Sequence, residues 1–419
     1  MIIGDLEKMN SSFLYIDPGT GSMLFSIIIG IAATVFFLFR ALLIKIKFLF
    51  TGSKNKETIK NPIVIYNEGK QYCKLFNPIL VEAEKQSLPV LYLTSFVQDS
   101  ALTTDWKFIK AEYIGEGNKA ISRLNFLSAD IVLMTTPGLN VYQLKRSKTV
   151  KHYSHIVHMP TDTTTYRLFG LDYFDSVLLT GDYQKRDIRY LEQLRGLKEK
   201  ELVSVGCTYL DESLKKIKEY DRDENTFTVL VSPSWGSSGL LSKFGEKLLD
   251  PLTDTGWKII IRPHPQSKKS EAEILERLTQ RYKNNENVVW DYESDNMISM
   301  SKSNIMISDF SGIIFDYTFL FDNPLLYVDT NFDTRSYDMD DVPQKAWQFE
   351  TIEKFGIKLE EKDFSNIKEI IQNASDSEQL KSAREKSKQE AWFNIGHSAE
   401  HIVDFLKSKV TVSNENKEE

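Results

Sequence analysis

Cysteine is almost missing from this chain: Cys73 and Cys207 are the only two in 419 residues. Neither has a partner at metal-like spacing, so a zinc framework and a disulfide framework are both excluded, and two reduced, mostly buried thiols are expected. An excess of positive charge is missing as well. Against 59 Asp and Glu stand 52 Lys and Arg, a net charge of −7, which excludes broad nucleic-acid binding. No internal repeat at a solenoid period is visible. Histidine is scarce, and three of the six fall within His152-Tyr153-Ser154-His155-Ile156-Val157-His158. The i, i+3 spacing invites a metal, but no Glu follows in a zincin pattern and the segment reads as a strand. On a strand His152 and His158 share one face and His155 takes the other. No metal and no cofactor are expected.

What is present begins with an uncharged run from Pro18 to Phe39, rich in Ile, Leu, Val and Phe. Twenty-odd such residues at about 1.5 Å each span a bilayer's hydrocarbon core. Asp5, Glu7, Lys8 and Asp17 precede it, whereas Arg40, Lys45, Lys47, Lys54, Lys56 and Lys60 follow. This is the reverse of a cleaved signal peptide. It predicts a single-pass anchor in the cell membrane, N-terminus out and body cytoplasmic. Residues 41–50 are expected to continue along the inner leaflet with snorkelling lysines, and the lysine-rich stretch to residue 61 to be a linker.

With 41% hydrophobic and 12% aromatic residues, the remainder is a folded globular body long enough for two cores. Short apolar runs at Ile63–Tyr66, Val90–Thr94, Ile131–Thr135, Ile156–His158, Ser176–Leu179 and Leu202–Val205 alternate with helical candidates Tyr72–Gln86, Asn118–Ser128 and Tyr183–Leu194. After a charged hinge at Ile217–Asn225 the pattern restarts: Thr228–Ser232, Trp257–Arg262, Val288–Trp290, Ile305–Ser308 and Leu325–Val328, with helices at Leu241–Leu249, Glu271–Arg281 and Gly312–Phe321. Such alternation predicts an α/β fold of two parallel, doubly wound sheets with ligands in the cleft at the strands' carboxyl ends. The expected divisions are 1–60 (anchor and linker), 61–225 (first lobe), 226–390 (second lobe) and 391–419 (terminal helix and polar tail).

Four places carry chemistry. His158, at a strand's carboxyl end, is suited to take a proton from an acceptor hydroxyl, or is a hydrogen-bonded structural histidine. Arg262-Pro263-His264-Pro265 leaves another strand through a proline-stiffened loop whose Arg262 and His264 can donate to phosphate oxygens; a structural turn is the plain alternative. Ser232-Pro233-Ser234-Trp235-Gly236-Ser237-Ser238-Gly239 has glycines that permit close approach to a ligand. Ser308-Asp309-Phe310-Ser311-Gly312 joins a strand to a helix, where Ser308, Ser311 and backbone N–H groups favour a phosphate. Asp309 is as fitted to an N-cap as to a ligand contact.

In order and spacing these segments resemble the CDP-glycerol glycerophosphotransferases, the teichoic acid primases and polymerases. Phe315-Asp316-Tyr317, Asn323-Pro324-Leu325-Leu326-Tyr327-Val328-Asp329 and Asn394-Ile395-Gly396-His397-Ser398-Ala399 extend the likeness, which runs from about His152 to Leu406. The resemblance implies a GT-B-like fold, two Rossmann-type lobes around an interlobe cleft with a C-terminal helix crossing back. It implies His158 as base, with His264 as the second catalytic histidine among the phosphate-binding positions. Ser234, Gly236, Arg262, Ser308, Asp309, Ser311 and Gly312 would hold a nucleotide-activated donor. The implied reaction moves glycerol phosphate, or a related polyol phosphate, from CDP-glycerol or a similar donor to a glycan or lipid-linked acceptor, with release of CMP. Departures are visible: Val157-His158-Met159-Pro160 stands where the family shows Trp-His-Gly followed by Lys, Asn323 where an Arg often precedes the proline, and His401 where an Arg is common. A nucleotide-sugar glycosyltransferase and a non-catalytic envelope-assembly protein remain the alternatives.

Overall fold

The computed structural model describes residues 29–32, 34–36, 38–40, 62–220, 226–293, 295–328 and 334–410. The chain divides into two compact units, Met1–Lys60 and Asn61–Glu419. In the first unit the described residues are helical, and Ile29, Ile31, Val35, Phe36, Leu38 and Phe39 are exposed. Among the described residues no helix is long and apolar enough to cross a membrane. The expected transmembrane helix is thus not among the described elements. Its first half, 18–28, lies outside them, as do residues 33 and 37, the continuation at 41–50, the linker to residue 61, the hinge at 221–225 and the tail from 411.

The second unit is built on two parallel sheets. Seven strands form the first: β1 (Ile63–Asn67), β2 (Val90–Thr94), β3 (Ile109–Tyr113), β4 (Ser128–Met134), β5 (Thr149–Ile156), β6 (Ser176–Leu179) and β7 (Glu201–Ser204), in the order β3-β2-β1-β4-β5-β6-β7. The second has β8 (Thr228–Val231), β9 (Lys258–Ile261), β10 (Val288–Trp290), β11 (Ile305–Ser308), β12 (Leu325–Val328) and β13 (Gly356–Leu359), ordered β10-β9-β8-β11-β12-β13. Every pairing is parallel, for example Val64 with Leu91 and Val132, and Met306 with Leu230 and Leu325. Both faces of the first sheet are covered. Val64, Leu93, Val132, Tyr153 and Val177 pack on one side, and Ile63, Ile65, Tyr92, Leu133 and Leu178 on the other. Burial on two faces is why these strands read as unbroken apolar runs. The strand order reverses between β1 and β4, and again between β8 and β11, so each sheet has a switch-point crevice at its carboxyl edge.

The C-terminal chain returns to the first sheet. Phe393 N–H donates to Thr180 O at 2.9 Å, and Ile402, Val403 and Leu406 of the helix Ser398–Ser408 join Ile63 and Phe76 in the core. Gly181 and Gly206 face the backbone carbonyls of Glu390 and Phe393 so closely that no Cβ fits; Gly206 also has φ +98°. Asp211, buried on the helix Thr208–Lys216, fastens the return. It accepts from Trp392 Nε1 at 2.9 Å and from the N–H groups of Gly396 at 2.8 Å and Ser398 at 3.0 Å. Removing that carboxylate strands three donors, two of them on buried residues. Asp211→Ala is therefore expected to cost about 3 kcal/mol of unfolding free energy, read from denaturant titration, because each orphaned donor costs on the order of 1–3 kcal/mol. A loss below about 1 kcal/mol would mean water replaces the carboxylate there.

Candidate active site

At the carboxyl edge of the first sheet, β5 ends at Ile156 and His158 lies in the loop beyond it, half-buried. The Tyr72 ring stands edge-on to the imidazole, with centroids 5.2 Å apart, and Tyr166 lies 6.4 Å away. Nδ1 of His158 is 3.3 Å from Thr135 Oγ1, and the His158 carbonyl accepts the Cys207 thiol at 3.7 Å. Burial lowers the imidazole to about 4, so it is neutral at physiological pH. The other two histidines of the cluster are held elsewhere. His155 is fully buried between the rings of Tyr166 and Phe174, with Nε2 3.1 Å from Tyr166 Oη, and burial pulls it down to about 3. His152 packs on Phe405 and bonds Ser176 Oγ at 2.8 Å. Among the described residues no group of three or more His, Cys, Asp or Glu is placed to hold a metal.

At the matching edge of the second sheet the Ser/Gly segment and the strand–turn–helix meet. Ser308 Oγ donates to Ser232 O at 2.6 Å. Asp309 is buried and accepts from the N–H groups of Ser234 at 2.9 Å and Leu240 at 3.0 Å, so it caps the helix Leu240–Lys243 and closes the loop between. Burial raises its carboxyl despite those bonds. Gly236, at φ +94°, donates its N–H to Glu271 Oε1 at 2.9 Å. The His264 ring stacks beside Trp235 at 6.2 Å; its Nδ1 accepts the Gln266 N–H at 3.1 Å, and burial lowers its pKa. Because Nδ1 accepts, the neutral ring carries its proton on Nε2 and remains a donor there. Arg262 is differently placed. Its guanidinium is spent on Asp291 at 2.5 Å and on the Glu293 carbonyl at 2.7 Å.

The two edges face each other. A Cβ on Gly312 would lie 3.4 Å from Met159 Cε and 3.5 Å from Thr161 Cγ2, so the turn Ser311-Gly312 abuts the loop that carries His158. Nearby, the buried Asp162 accepts the N–H groups of Trp347 at 3.1 Å and Gln348 at 2.7 Å, capping the helix Trp347–Phe355 from across the cleft. Residues 334–341 strap the same region: Leu168 N–H donates to Ser336 O at 3.2 Å, and Arg195 pairs with Asp172, Asp338 and Asp341. The loop that carries His158 and the turn Ser311-Gly312 thereby meet, with Ser308 and Asp309 bonded to the Ser/Gly segment behind that turn.

Thr135, Tyr72, Tyr166 and Glu68 also belong to this region and carry no motif, and with them stands Asp316 of the segment Phe315-Asp316-Tyr317. The signal that could have found the first four is position, since they follow the ends of β1, β4 and β5. Asp316, in the first turn of the helix Ile313–Phe321, accepts from Tyr209 Oη at 3.0 Å, while its Oδ1 has no hydrogen-bond partner. Burial raises this carboxyl to about 7. A carboxyl so raised favours the folded state while protonated, and that advantage is lost as pH climbs from the ordinary value through about 7. Asp316→Asn, which keeps an acceptor for Tyr209, is therefore expected to gain on the wild type between about pH 4 and pH 7, by up to about 4 kcal/mol. Denaturation at pH 5 and pH 8 measures this; a difference independent of pH would sink the idea.

With the geometry in place, likeness to other proteins becomes informative. No curated protein matches the sequence. The wall teichoic acid polymerase TagF superposes with a TM-score of 0.56 at 15% identity, covering 89% of this chain and 97% of that one. The UDP-GlcNAc 2-epimerase of Methanocaldococcus jannaschii gives 0.56 at 13% identity, over 83% and 99%. That of Neisseria meningitidis gives 0.54 at 16%, over 83% and 100%. At such identities the likeness is one of fold, α/β with parallel sheets in a GT-B-like arrangement. Sequence decides the family. Residues 35–408 match the model of the CDP-Glycerol:Poly(glycerophosphate) glycerophosphotransferases, and the chain belongs to that family of transferases.

Proposed function

We propose that this chain transfers glycerol phosphate, or a related polyol phosphate, from a CDP-activated donor to a hydroxyl of a cell-envelope glycan or lipid-linked acceptor. The apolar run Pro18–Phe39 would tether it to the membrane, with the body on the cytoplasmic side. The observation that carries the reading is a desolvated, neutral His158 on the loop whose next residues, Met159 and Thr161, pack against Gly312 of the turn. With Nδ1–H donated to Thr135 Oγ1, the Nε2 lone pair of His158 is left for the acceptor hydroxyl. Its proton passes to Nε2 as the oxygen bonds to the outer phosphorus of CDP-glycerol. The bond from that phosphorus to the bridging oxygen breaks, and CMP leaves. Charge growing on the phosphate oxygens meets Nε2–H of His264, the Ser311 hydroxyl and backbone N–H groups of the turn. Such fixed donors, with positioning, supply most of the acceleration in transfers of this kind.

The test is nucleotide release by the purified full-length chain with CDP-glycerol, CDP-ribitol and UDP-sugars in the presence of membrane extract. CMP release from a CDP-polyol is expected. UDP release from a UDP-sugar would replace this reading with a glycosyltransferase, and silence with every donor would replace it with a binding protein.

A further inference from the structure

Beside His158 and Thr135 a row of side chains continues into groups that have no part in the chemistry above. β1, β4 and β5 are neighbours in the first sheet, and just past their carboxyl ends lie Glu68, Thr135-Thr136 and His158. Glu68 and Thr136 flank the point where the strand order reverses, the usual place for a ligand in such a sheet. The row is joined by its own hydrogen bonds. Thr136 Oγ1 donates to Glu68 Oε2, and Thr135 Oγ1 lies 3.3 Å from His158 Nδ1. Tyr72 and Tyr166 close its sides, and the Glu68 charge helps to raise both phenols. Among the described residues no Lys or Arg forms an ion pair with Glu68, and burial lowers His158. The two walls of the cleft therefore differ in chemistry. The second sheet offers N–H donors suited to phosphate, and the first offers a carboxylate, two hydroxyls and two aromatic rings.

We infer that Glu68 is an acceptor-specificity residue: with Thr136, Tyr72 and Tyr166 it binds a neutral polyhydroxyl head group, a sugar or polyol unit, and turns one hydroxyl toward His158. A carboxylate accepts strongly from hydroxyls, and aromatic faces cover the apolar face of a sugar. An acceptor ending in phosphate meets like charge at Glu68. This rests on the transferase reading, so its test has an arm that needs no turnover. The full-length protein is examined by saturation-transfer NMR with methyl β-D-glucopyranoside and with glycerol 3-phosphate, and both are then used as acceptors with CDP-glycerol. The wild type is expected to bind the glucoside in preference. Glu68→Gln is expected to raise the glucoside KM about tenfold, the worth of one hydrogen bond to a charged group, with the donor KM unchanged. Glu68→Lys is expected to reverse the preference toward glycerol 3-phosphate. Equal binding of both probes by the wild type would overturn the inference, as would a Glu68→Gln loss confined to kcat or shared by the donor KM. Preference in the NMR arm without any CMP release would leave the acceptor site standing and sink the transferase reading instead.

Discussion

Replacing His158 by alanine is expected to lower CMP release about a hundredfold to ten-thousandfold, the usual contribution of a positioned general base. The loss should fall on kcat, because His158 faces the acceptor wall and makes no bond to the donor wall. Stability should change little, since the ring is half-buried and its polar contacts are one 3.3 Å approach to Thr135 and its own carbonyl's bond to Cys207. The pH profile gives a second readout. The base works only when unprotonated, and burial holds the imidazole near 4. The acid limb of kcat/KM should therefore fall near pH 4, not near the ordinary histidine value of about 6.5. Single-turnover measurement from pH 4 to pH 8 checks both points. A limb at 6.5, or a His158→Ala variant within a few-fold of wild type, would move the base elsewhere.

The sheets were legible because parallel strands buried on both faces leave long apolar runs, as at Ile63–Tyr66 and Ile305–Ser308. Two strands were missed for the converse reason. β3, Ile-Lys-Ala-Glu-Tyr, and β13, Gly-Ile-Lys-Leu, lie at the edges of their sheets, where Lys110, Glu112 and Lys358 face outward and erase the apolar signal. The helix expected at Asn118–Ser128 stops at Leu124, since Ser128 already belongs to β4. His152 and His155 take opposite faces because side-chain parity is a local property, whereas β5 ends at Ile156 and leaves His158 in the loop beyond it, outside that alternation.

Side-chain roles were less legible, because they depend on partners far away in sequence. Asp309 fits both a cap and a ligand contact by its local setting; its actual partners, Ser234 and Leu240, come from the loop after β8, a neighbour of β11. Asp162 sits in a proline-threonine loop that gives no sign of the helix it caps, whose first residue is Trp347. Arg262 reads as a phosphate ligand until the pairing of Ile261 with Trp290 brings Asp291 alongside it. Glu68 follows β1 without any motif, and only the strand order makes it a neighbour of Thr136.

That difference between Arg262 and His264, two residues apart, sets up the second large effect. His264→Ala is expected to lower kcat about a hundredfold to a thousandfold, as loss of one fixed donor to a developing phosphate charge does elsewhere. Its Nε2–H is available because Nδ1 is occupied by the Gln266 N–H, so His264→Gln, which can present an amide N–H, should recover part of the loss. Arg262→Ala should behave otherwise. It leaves Asp291 half-buried with Ser299 Oγ and the Glu293 N–H but without its cation, and it strips the Glu293 carbonyl of a donor. The expected result is a loss of about 3–5 kcal/mol in stability, typical for breaking a largely buried ion pair, with kcat changed far less in the fraction that folds. Denaturation curves and active-site-normalised turnover for the three variants separate the roles. If Arg262→Ala removes turnover as completely as His264→Ala while the protein keeps its stability, the guanidinium reaches the donor after all, and the division of labour between these residues is wrong.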